Sequence, residues 1–323
     1  MDRTSVSRRA ASAVRSAVRP SLGTTRFLAS VMVPVSLGVL VLDKFGLLGA
    51  LARLINPLLH LIGLPGSAAL VILSSMLLNI YSAIAVIGTL PLSGREITII
   101  AVICLIAHNL IVESAIMRKT GSSAMRMALL RISVGLFAGW LLNLLLPAGF
   151  GAALANGADT VARRESGLAA LIDALLPWAQ KTGLLLVKMA VIVAVLMVIQ
   201  KLLEEFGFME ALGRVLSPFM RFIGLPSSTG FLLIVANLVG FAYGSAIMIE
   251  RVESGKLTLS DGDLFNHHAG ISHSLLEDTL LFMAISVPFF WLVVPRVILA
   301  IIVVWLERGR RILFRRSFRV GTI

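Results

Sequence analysis

Two short stretches place histidine and carboxylate residues within otherwise apolar sequence. They read "HNLIVES" and "HSLLEDT", and they supply His108, Glu113, His273, Glu277 and Asp278. Imidazole and carboxylate groups can together ligate a transition-metal ion, and chains of the same groups relay protons in pumps and transporters. The two stretches therefore predict a site for a cation or for proton transfer, with His273, Glu277 and Glu113 as candidate metal ligands.

The composition shows what surrounds these groups. Of the 323 residues, 58% are hydrophobic and only 14% are charged, whereas soluble domains contain about 25% charged residues. Several apolar runs approach or exceed the ~20 residues needed to cross a bilayer. The sequence therefore predicts an all-α polytopic membrane protein whose main partner is the lipid bilayer. An ionisable group at membrane depth costs about 2.5–3.5 kcal/mol on insertion scales, so it needs a partner or a use.

The apolar runs fall into two kinds. Predicted spans lie near residues 24–42, 97–117, 125–146, 183–201, 265–286 and 290–306, and predicted amphipathic segments lie at 47–62 and 208–223. Two further runs, 66–90 and 227–250, contain Gly, Ser and Asn and fit either full spans or re-entrant hairpins. Hairpins place more of the Lys and Arg residues on the inner side, and the positive-inside rule favours that arrangement.

Basic residues concentrate at both ends of the chain. Residues 1–23 and 307–323 are rich in arginine, and the net charge of the chain is +12. The positive-inside rule explains both segments as cytoplasmic tails of a multi-pass protein of the cell (inner) membrane. We therefore expect no nucleic-acid partner.

An internal repeat divides the chain. Ten of the twenty-one residues in 45–65 are identical to those in 206–226 at an offset of 161. The repeat predicts two homologous halves, 24–146 and 183–306, separated by a linker at 147–182. If the two ambiguous runs are hairpins, each half has three spans and the second half is inverted relative to the first.

The repeat also relates the two polar stretches. At an offset of 165, His108 matches His273 and Glu113 matches Asp278. A helical 265–286 would place His273 and Glu277 one turn apart, and the two halves would bring both stretches together. The predicted substrate- or ion-binding residues are His108, Asn109, Glu113, Asn237, Ser245, His273, Glu277 and Asp278.

Structural roles remain as alternatives for these residues. Glu277 and Asp278 could pair with Lys188, with Arg131 or with a neighbouring hydroxyl group. Asn237 and Ser245 could serve helix packing through small residues rather than a site.

Three features resemble a known family. The segment "ANLVGFAYGSAIM", the paired "FG…P…GLP" segments and "HSLLEDT" resemble the nucleoside-recognition or Gate domain. That domain occurs in spore maturation proteins A and B and in the membrane part of ferrous iron transporter B. The chain looks like two spore-maturation halves fused together, and it lacks the GTPase domain of the iron transporter. The resemblance implies two Gate-like repeats.

These observations leave two functions in competition. The first is a transporter for a cation (a divalent metal or a proton) or for a proton-coupled small solute such as a nucleoside. The alternative is a membrane scaffold or assembly factor, as the resemblance to spore maturation proteins implies. No enzyme is expected, because P-loop, H-E-x-x-H and G-x-S-x-G motifs are absent. No cofactor is expected either, and the sequence leaves a homo-oligomer open.

Overall fold

The computed structural model describes residues 3–47, 56–57, 59–151 and 167–320, and this part of the chain is helical without a β-strand. The all-α prediction is therefore confirmed for these residues. In chain order the helices are α1 (Arg3–Lys44), α2 (Ala68–Leu77), α3 (Ile80–Ile87), α4 (Gly94–Ala107), α5 (Leu110–Lys119), α6 (Ala124–Leu145), α7 (Leu168–Glu205), α8 (Phe208–Met220), α9 (Gly230–Leu238), α10 (Phe241–Glu253), α11 (Leu259–Ala269), α12 (Glu277–Met283) and α13 (Phe289–Val320).

Several helical stretches can cross a membrane. Within the described residues, four are long and apolar enough: Gly94–Lys119, Ala124–Leu145, Leu168–Glu205 and Phe289–Leu313. The predicted span 24–42 lies inside α1. Of the predicted amphipathic segments, 208–223 forms α8 over most of its length. Most of 47–62 lies outside the described residues.

Two predicted helices are broken, and the predicted boundary between the linker and the span that follows it is absent. The single span 265–286 is wrong, because α11 ends at Ala269 and α12 begins at Glu277, with non-helical residues between them. The span 97–117 is likewise interrupted, between α4 and α5. By contrast, residues 168–182 of the predicted linker and the predicted span 183–201 form one continuous helix, α7.

The runs 66–90 and 227–250 each form two short helices. In the second run, Arg251 near the end of α10 donates a hydrogen bond to the Ser228 carbonyl (3.5 Å). Its guanidinium also lies 5.2 Å from the centre of the Phe231 ring in α9. Because residues so far apart in sequence meet, α10 runs back alongside α9. In the first run, the Asn79 side chain accepts the Ser82 N–H (3.0 Å) and starts α3 after the break.

The two longest helices before the C-terminal helix, α1 and α7, pack against each other in opposite directions. Arg9 pairs with Glu205 (Nε–Oε1, 2.7 Å) at one end, and the Gly167 N–H donates to the Lys44 carbonyl (3.0 Å) at the other. A helix of 42 residues extends about 63 Å, more than the ~40–45 Å of a bilayer with its headgroups. The pair is therefore long enough to project beyond the membrane.

Glycines set the distance between α6 and α4. A Cβ on Gly139 would lie 2.6 Å from Ile103 Cδ1, and one on Gly135 would lie 3.4 Å from the Ile103 carbonyl oxygen. The Gly135–Gly139 pair is thus a packing notch. It holds α6, which carries Arg131, close to the C-terminal end of α4.

Candidate functional site

The two helix breaks are tied to the neighbouring helix pairs by the same type of contact. Asn109 between α4 and α5 has φ 46°, and Ser274 between α11 and α12 has φ 48°. Non-glycine residues adopt this left-handed conformation only at a cost. Each donates its backbone N–H at 2.9 Å, Asn109 to the Ser75 carbonyl in α2 and Ser274 to the Ala236 carbonyl in α9. The broken helices α4–α5 and α11–α12 therefore contact the helix pairs α2–α3 and α9–α10, and the backbone N–H groups of Asn109 and Ser274 are satisfied.

Two buried arginines satisfy the carbonyl groups that the breaks release. Arg131 donates to the carbonyl oxygens of Ile106 and His108, both at 2.8 Å. Arg296 donates to the carbonyl oxygen of His273 at 2.5 Å. Both arginines are fully buried, and each follows its histidine by 23 residues. Carbonyls at a helix end lack intrahelical partners, so these guanidinium groups stabilise the breaks.

Four ionisable side chains converge where the breaks meet, and we call them the helix-break cluster: His108, Glu113, His273 and Asp278. The Nε2 atoms of the two histidines lie 3.2 Å apart. Glu113 Oε1 lies 3.3 Å from His108 Nε2 and 3.5 Å from His273 Nε2. Asp278 Oδ2 lies 3.8 Å from His108 Nε2. None of the four residues is more than 6% exposed.

Backbone contacts fix the orientation of both imidazole rings. His108 Nδ1 lies 3.0 Å from the Cys104 carbonyl oxygen, and His273 Nδ1 lies 2.6 Å from the Ala269 carbonyl oxygen. A carbonyl oxygen only accepts hydrogen bonds, so each Nδ1 carries the hydrogen. Both Nε2 atoms therefore point towards the carboxylates and, in the neutral rings, carry a lone pair.

The two acids of the cluster differ in how far they are neutralised. Glu113 Oε2 forms an ion pair with Arg131 Nη1 at 2.7 Å, and its other oxygen faces the histidines. Asp278 Oδ2 has no hydrogen-bond partner among the described residues, and the same holds for Nε and Nη1 of Arg296. An unpartnered buried polar atom is costly, so this side of the cluster can accept a ligand.

Glu277 lies outside the cluster. Tyr81 of α3 donates its hydroxyl hydrogen to Glu277 Oε1 at 2.5 Å. The prediction that His273 and Glu277 face each other across one helical turn is wrong, because residues 270–276 are not helical. Turning the chain at this break brings the neighbouring acid, Asp278, to the histidines instead.

The other predicted residues contribute through the backbone or lie apart. Asn109 caps α5 without a side-chain hydrogen bond. The Asn237 carbonyl accepts the Leu276 N–H (3.2 Å), while its side chain donates to the Leu233 carbonyl (2.9 Å). Ser245 is buried in α10, and its hydroxyl has no partner in the described part of the chain. Asn109 and Asn237 therefore hold the breaks through their backbone groups, while the buried Asn237 Oδ1 has no hydrogen-bond partner among the described residues.

Sequence reasoning missed Arg296 and Tyr81 and named Arg131 only as a possible partner of the acids. A signal for the arginines was present, because Arg131 and Arg296 are separated by the same 165 residues that separate His108 from His273. No comparable signal marked Tyr81, whose match in the second half is Ala242 at an offset of 161.

A family model described as nucleoside recognition, Gate, matches residues 26–124 and 186–308. The uncharacterized membrane protein YvoD of Bacillus subtilis (strain 168) is 34% identical over 284 residues, which cover 86% of this chain and 88% of YvoD. No solved structure matches the chain.

Proposed function

Because this chain belongs to the nucleoside-recognition (Gate) family and is similar to a membrane protein, we propose that it is an integral membrane transporter. Its site is the helix-break cluster, and it takes a cation (a divalent metal or a proton) or a proton-coupled small solute such as a nucleoside. One observation carries the proposal. Two histidines and two carboxylates are buried together between two interrupted helices, and Asp278 Oδ2 has no hydrogen-bond partner among the described residues.

The interrupted helices support transport over a purely structural role. Non-helical backbone at membrane depth is tolerated only where it is buried in protein or lines a cavity, and transporters commonly place their substrate site at such breaks. Here the breaks at Asn109 and Ser274 are held in left-handed conformations. A scaffold has no evident need for broken helices of this kind. Nor does it need buried carboxylates that are incompletely paired, which destabilise the fold.

The arrangement of α1 and α7 supports two inverted halves, 24–146 and 183–306. At the repeat offset of 161, Lys44 at the end of α1 matches Glu205 at the end of α7. These matched helices run antiparallel, as expected when the second half is inverted in the membrane. In this arrangement both arginine-rich ends lie in the cytoplasm, and the protein resides in the cell (inner) membrane.

An uptake assay in proteoliposomes tests the proposal. Metal ions and small solutes, nucleosides included, are offered with and without a pH gradient, over about pH 5.5–8, which brackets the ~6.5 reference pKa of histidine. We expect uptake by the unmodified chain. We also expect Glu113→Gln and Asp278→Asn to abolish it or remove its pH dependence, because an amide keeps the shape of a carboxylate but cannot exchange a proton.

A matched control distinguishes the effect of changing an acid of the cluster from the effect of removing any one negative charge. Asp173 is exposed on α7, so Asp173→Asn removes one carboxylate away from the cluster, and its uptake should equal that of the unmodified chain. Both cluster variants must insert and keep their helical circular dichroism. If they take up solute normally across the whole pH range, the acids are structural and the helix-break cluster is not the transport site. If the unmodified chain takes up nothing, the scaffold hypothesis leads.

A further inference from the structure

When both imidazole rings are neutral, the helix-break cluster brings together three acceptor atoms with no hydrogen between them. Each histidine uses its Nδ1–H on a backbone carbonyl, so in the neutral rings both Nε2 atoms present lone pairs at a separation of 3.2 Å. Glu113 Oε1 lies within 3.5 Å of both. Three acceptors at such distances repel one another unless a positive charge lies among them.

The distances between these atoms match those between ligands of one metal ion. Two ligand atoms that each lie ~2.0–2.1 Å from a tetrahedral metal are about 3.3 Å apart. The corresponding distances in this site are similar. They are 3.2 Å between the two histidine Nε2 atoms, 3.3 Å from His108 Nε2 to Glu113 Oε1 and 3.5 Å from His273 Nε2 to the same oxygen. These atoms therefore form one face of a coordination polyhedron of the right size.

A further ligand and an outer shell are also present. Asp278 Oδ2 lies 3.8 Å from His108 Nε2 and has no hydrogen-bond partner among the described residues. His108, His273 and Asp278 can each offer one ligand atom within a common distance of 4.8 Å. Metal-bound histidines usually donate their second N–H to a carbonyl or carboxylate, and both rings already do so. Arg131 holds the far oxygen of Glu113 (2.7 Å), which leaves Oε1 for the metal.

We propose that the helix-break cluster binds a divalent transition-metal ion through His108 Nε2, His273 Nε2, Glu113 Oε1 and Asp278 Oδ2. This assignment deepens the proposed function, on which it rests for the role of the ion as cargo or coupling ion. Glu277, which Tyr81 engages, is not a ligand. Imidazole with carboxylate suits Zn²⁺ and other first-row ions.

Equilibrium binding to the full-length chain in detergent provides the test, with an affinity tag that contains no histidine. The chain is stripped with a chelator and dialysed against Zn²⁺, and metal per chain is measured. We expect about one Zn²⁺ per chain. Glu113→Gln and His273→Ala should weaken binding by more than the ~10- to 100-fold that loss of an outer-shell partner costs. Co²⁺ should give the intense visible absorption of a tetrahedral site, and these variants should lose it.

Two histidines serve as controls, since both are buried on α11 outside the cluster. His268 has an unpartnered Nδ1 in the described part of the chain, and His267 lies beside Asp263 and Glu307. His268→Ala and His267→Ala should retain the ion. If the folded, unmodified chain binds no Zn²⁺, or if His267→Ala loses it while His273→Ala keeps it, the assignment is overturned. Binding without uptake in proteoliposomes would refute transport but keep the metal site; solute uptake without Zn²⁺ binding would do the reverse.

Discussion

The helix-break cluster and a second buried cluster use the same kinds of side chain but neutralise their acids differently. The second, which we call the arginine-rimmed cluster, contains Asp263, His267 and Glu307, and its three candidate ligand atoms also lie within 4.8 Å of one another. As in the helix-break cluster, the histidine Nδ1 lies near the backbone carbonyl four residues earlier. His267 Nδ1 is 2.7 Å from the Asp263 carbonyl oxygen. By residue type alone, either cluster could be a metal site.

Arginines occupy the acids of the second cluster. Asp263 pairs with Arg126 through Oδ1 and with Arg311 through Oδ2 at 2.5 Å. Glu307 pairs with Arg310 and Arg311, both at 2.7 Å. Three guanidinium groups therefore face two carboxylates, and a divalent ion would have to displace at least one of them.

The arginines beside the helix-break cluster donate mainly to backbone carbonyls. Arg131 engages one oxygen of Glu113 and two backbone carbonyls, and the hydrogen bond of Arg296 goes to the His273 carbonyl. Glu113 Oε1 and Asp278 Oδ2 therefore remain open towards the histidine nitrogens. The contrast teaches that the number of histidines and acids does not identify a binding site. The feature that distinguishes the two clusters is whether the nearby arginines pair mainly with the carboxylates or with backbone carbonyls.

The largest expected effect concerns the arginines that hold the breaks. Arg131→Met leaves the Ile106 and His108 carbonyls without their donor and Glu113 without its ion pair, all in a buried setting. Removing one partner of a buried pair costs about 3–5 kcal/mol. We expect a large fall in the thermal unfolding midpoint in detergent, or failure to insert.

Two arginine variants calibrate this result. Arg118 is exposed on α5, and Arg118→Met should change stability by at most ~0.5 kcal/mol. The Arg310 side chain is 48% exposed, so Arg310→Met should cost less than about 1 kcal/mol. If Arg310→Met destabilised the chain as much as Arg131→Met, the distinction between backbone-holding and rim arginines would fail.

The sequence predicted which residues meet better than it predicted how they meet. The all-α class and the apolar spans follow from hydrophobicity, which is a local property. The 165-residue offset alone matches His108 with His273. The breaks could not be read from the same pattern, because apolar periodicity continues through them. Their cause is tertiary: Arg131 and Arg296 supply donors to released carbonyls from distant helices.

The pairing of His273 with Glu277 instead of Asp278 was wrong for the same reason, because the break is not visible in the local sequence pattern. Assuming a continuous helix placed Glu277 one turn from His273, whereas the non-helical residues 270–276 turn Asp278 to the histidines. Tyr81, the residue that holds Glu277, lies 196 residues away. A contact between such distant elements cannot be derived from local periodicity.

A smaller effect is expected in the arginine-rimmed cluster. Asp263→Asn removes the charge that Arg126 and Arg311 share, and it weakens the hydrogen bond from Ser122 (2.6 Å). Losing hydrogen bonds to a charged group costs about 1–3 kcal/mol. We expect a lower unfolding midpoint with unchanged Zn²⁺ affinity, since arginines already pair with both carboxylates of this cluster. Glu253→Gln, at an exposed acid at the end of α10, controls for charge. Loss of Zn²⁺ in Asp263→Asn alone would instead make this cluster the metal site.

The smallest effect separates two adjacent acids. Tyr81→Phe removes a single partly buried hydrogen bond to Glu277, which should cost about 1 kcal/mol. Glu277→Gln should cost a similar amount. In the double variant the two costs should not add, because both report one contact. Unfolding midpoints of the four proteins measure this coupling. Since Tyr81 holds Glu277, neither variant should change Zn²⁺ affinity, whereas Asp278→Asn should lower it. Equal loss of Zn²⁺ from Glu277→Gln and Asp278→Asn would show that both acids reach the ion, and the helix-break cluster would then need Glu277 as a member.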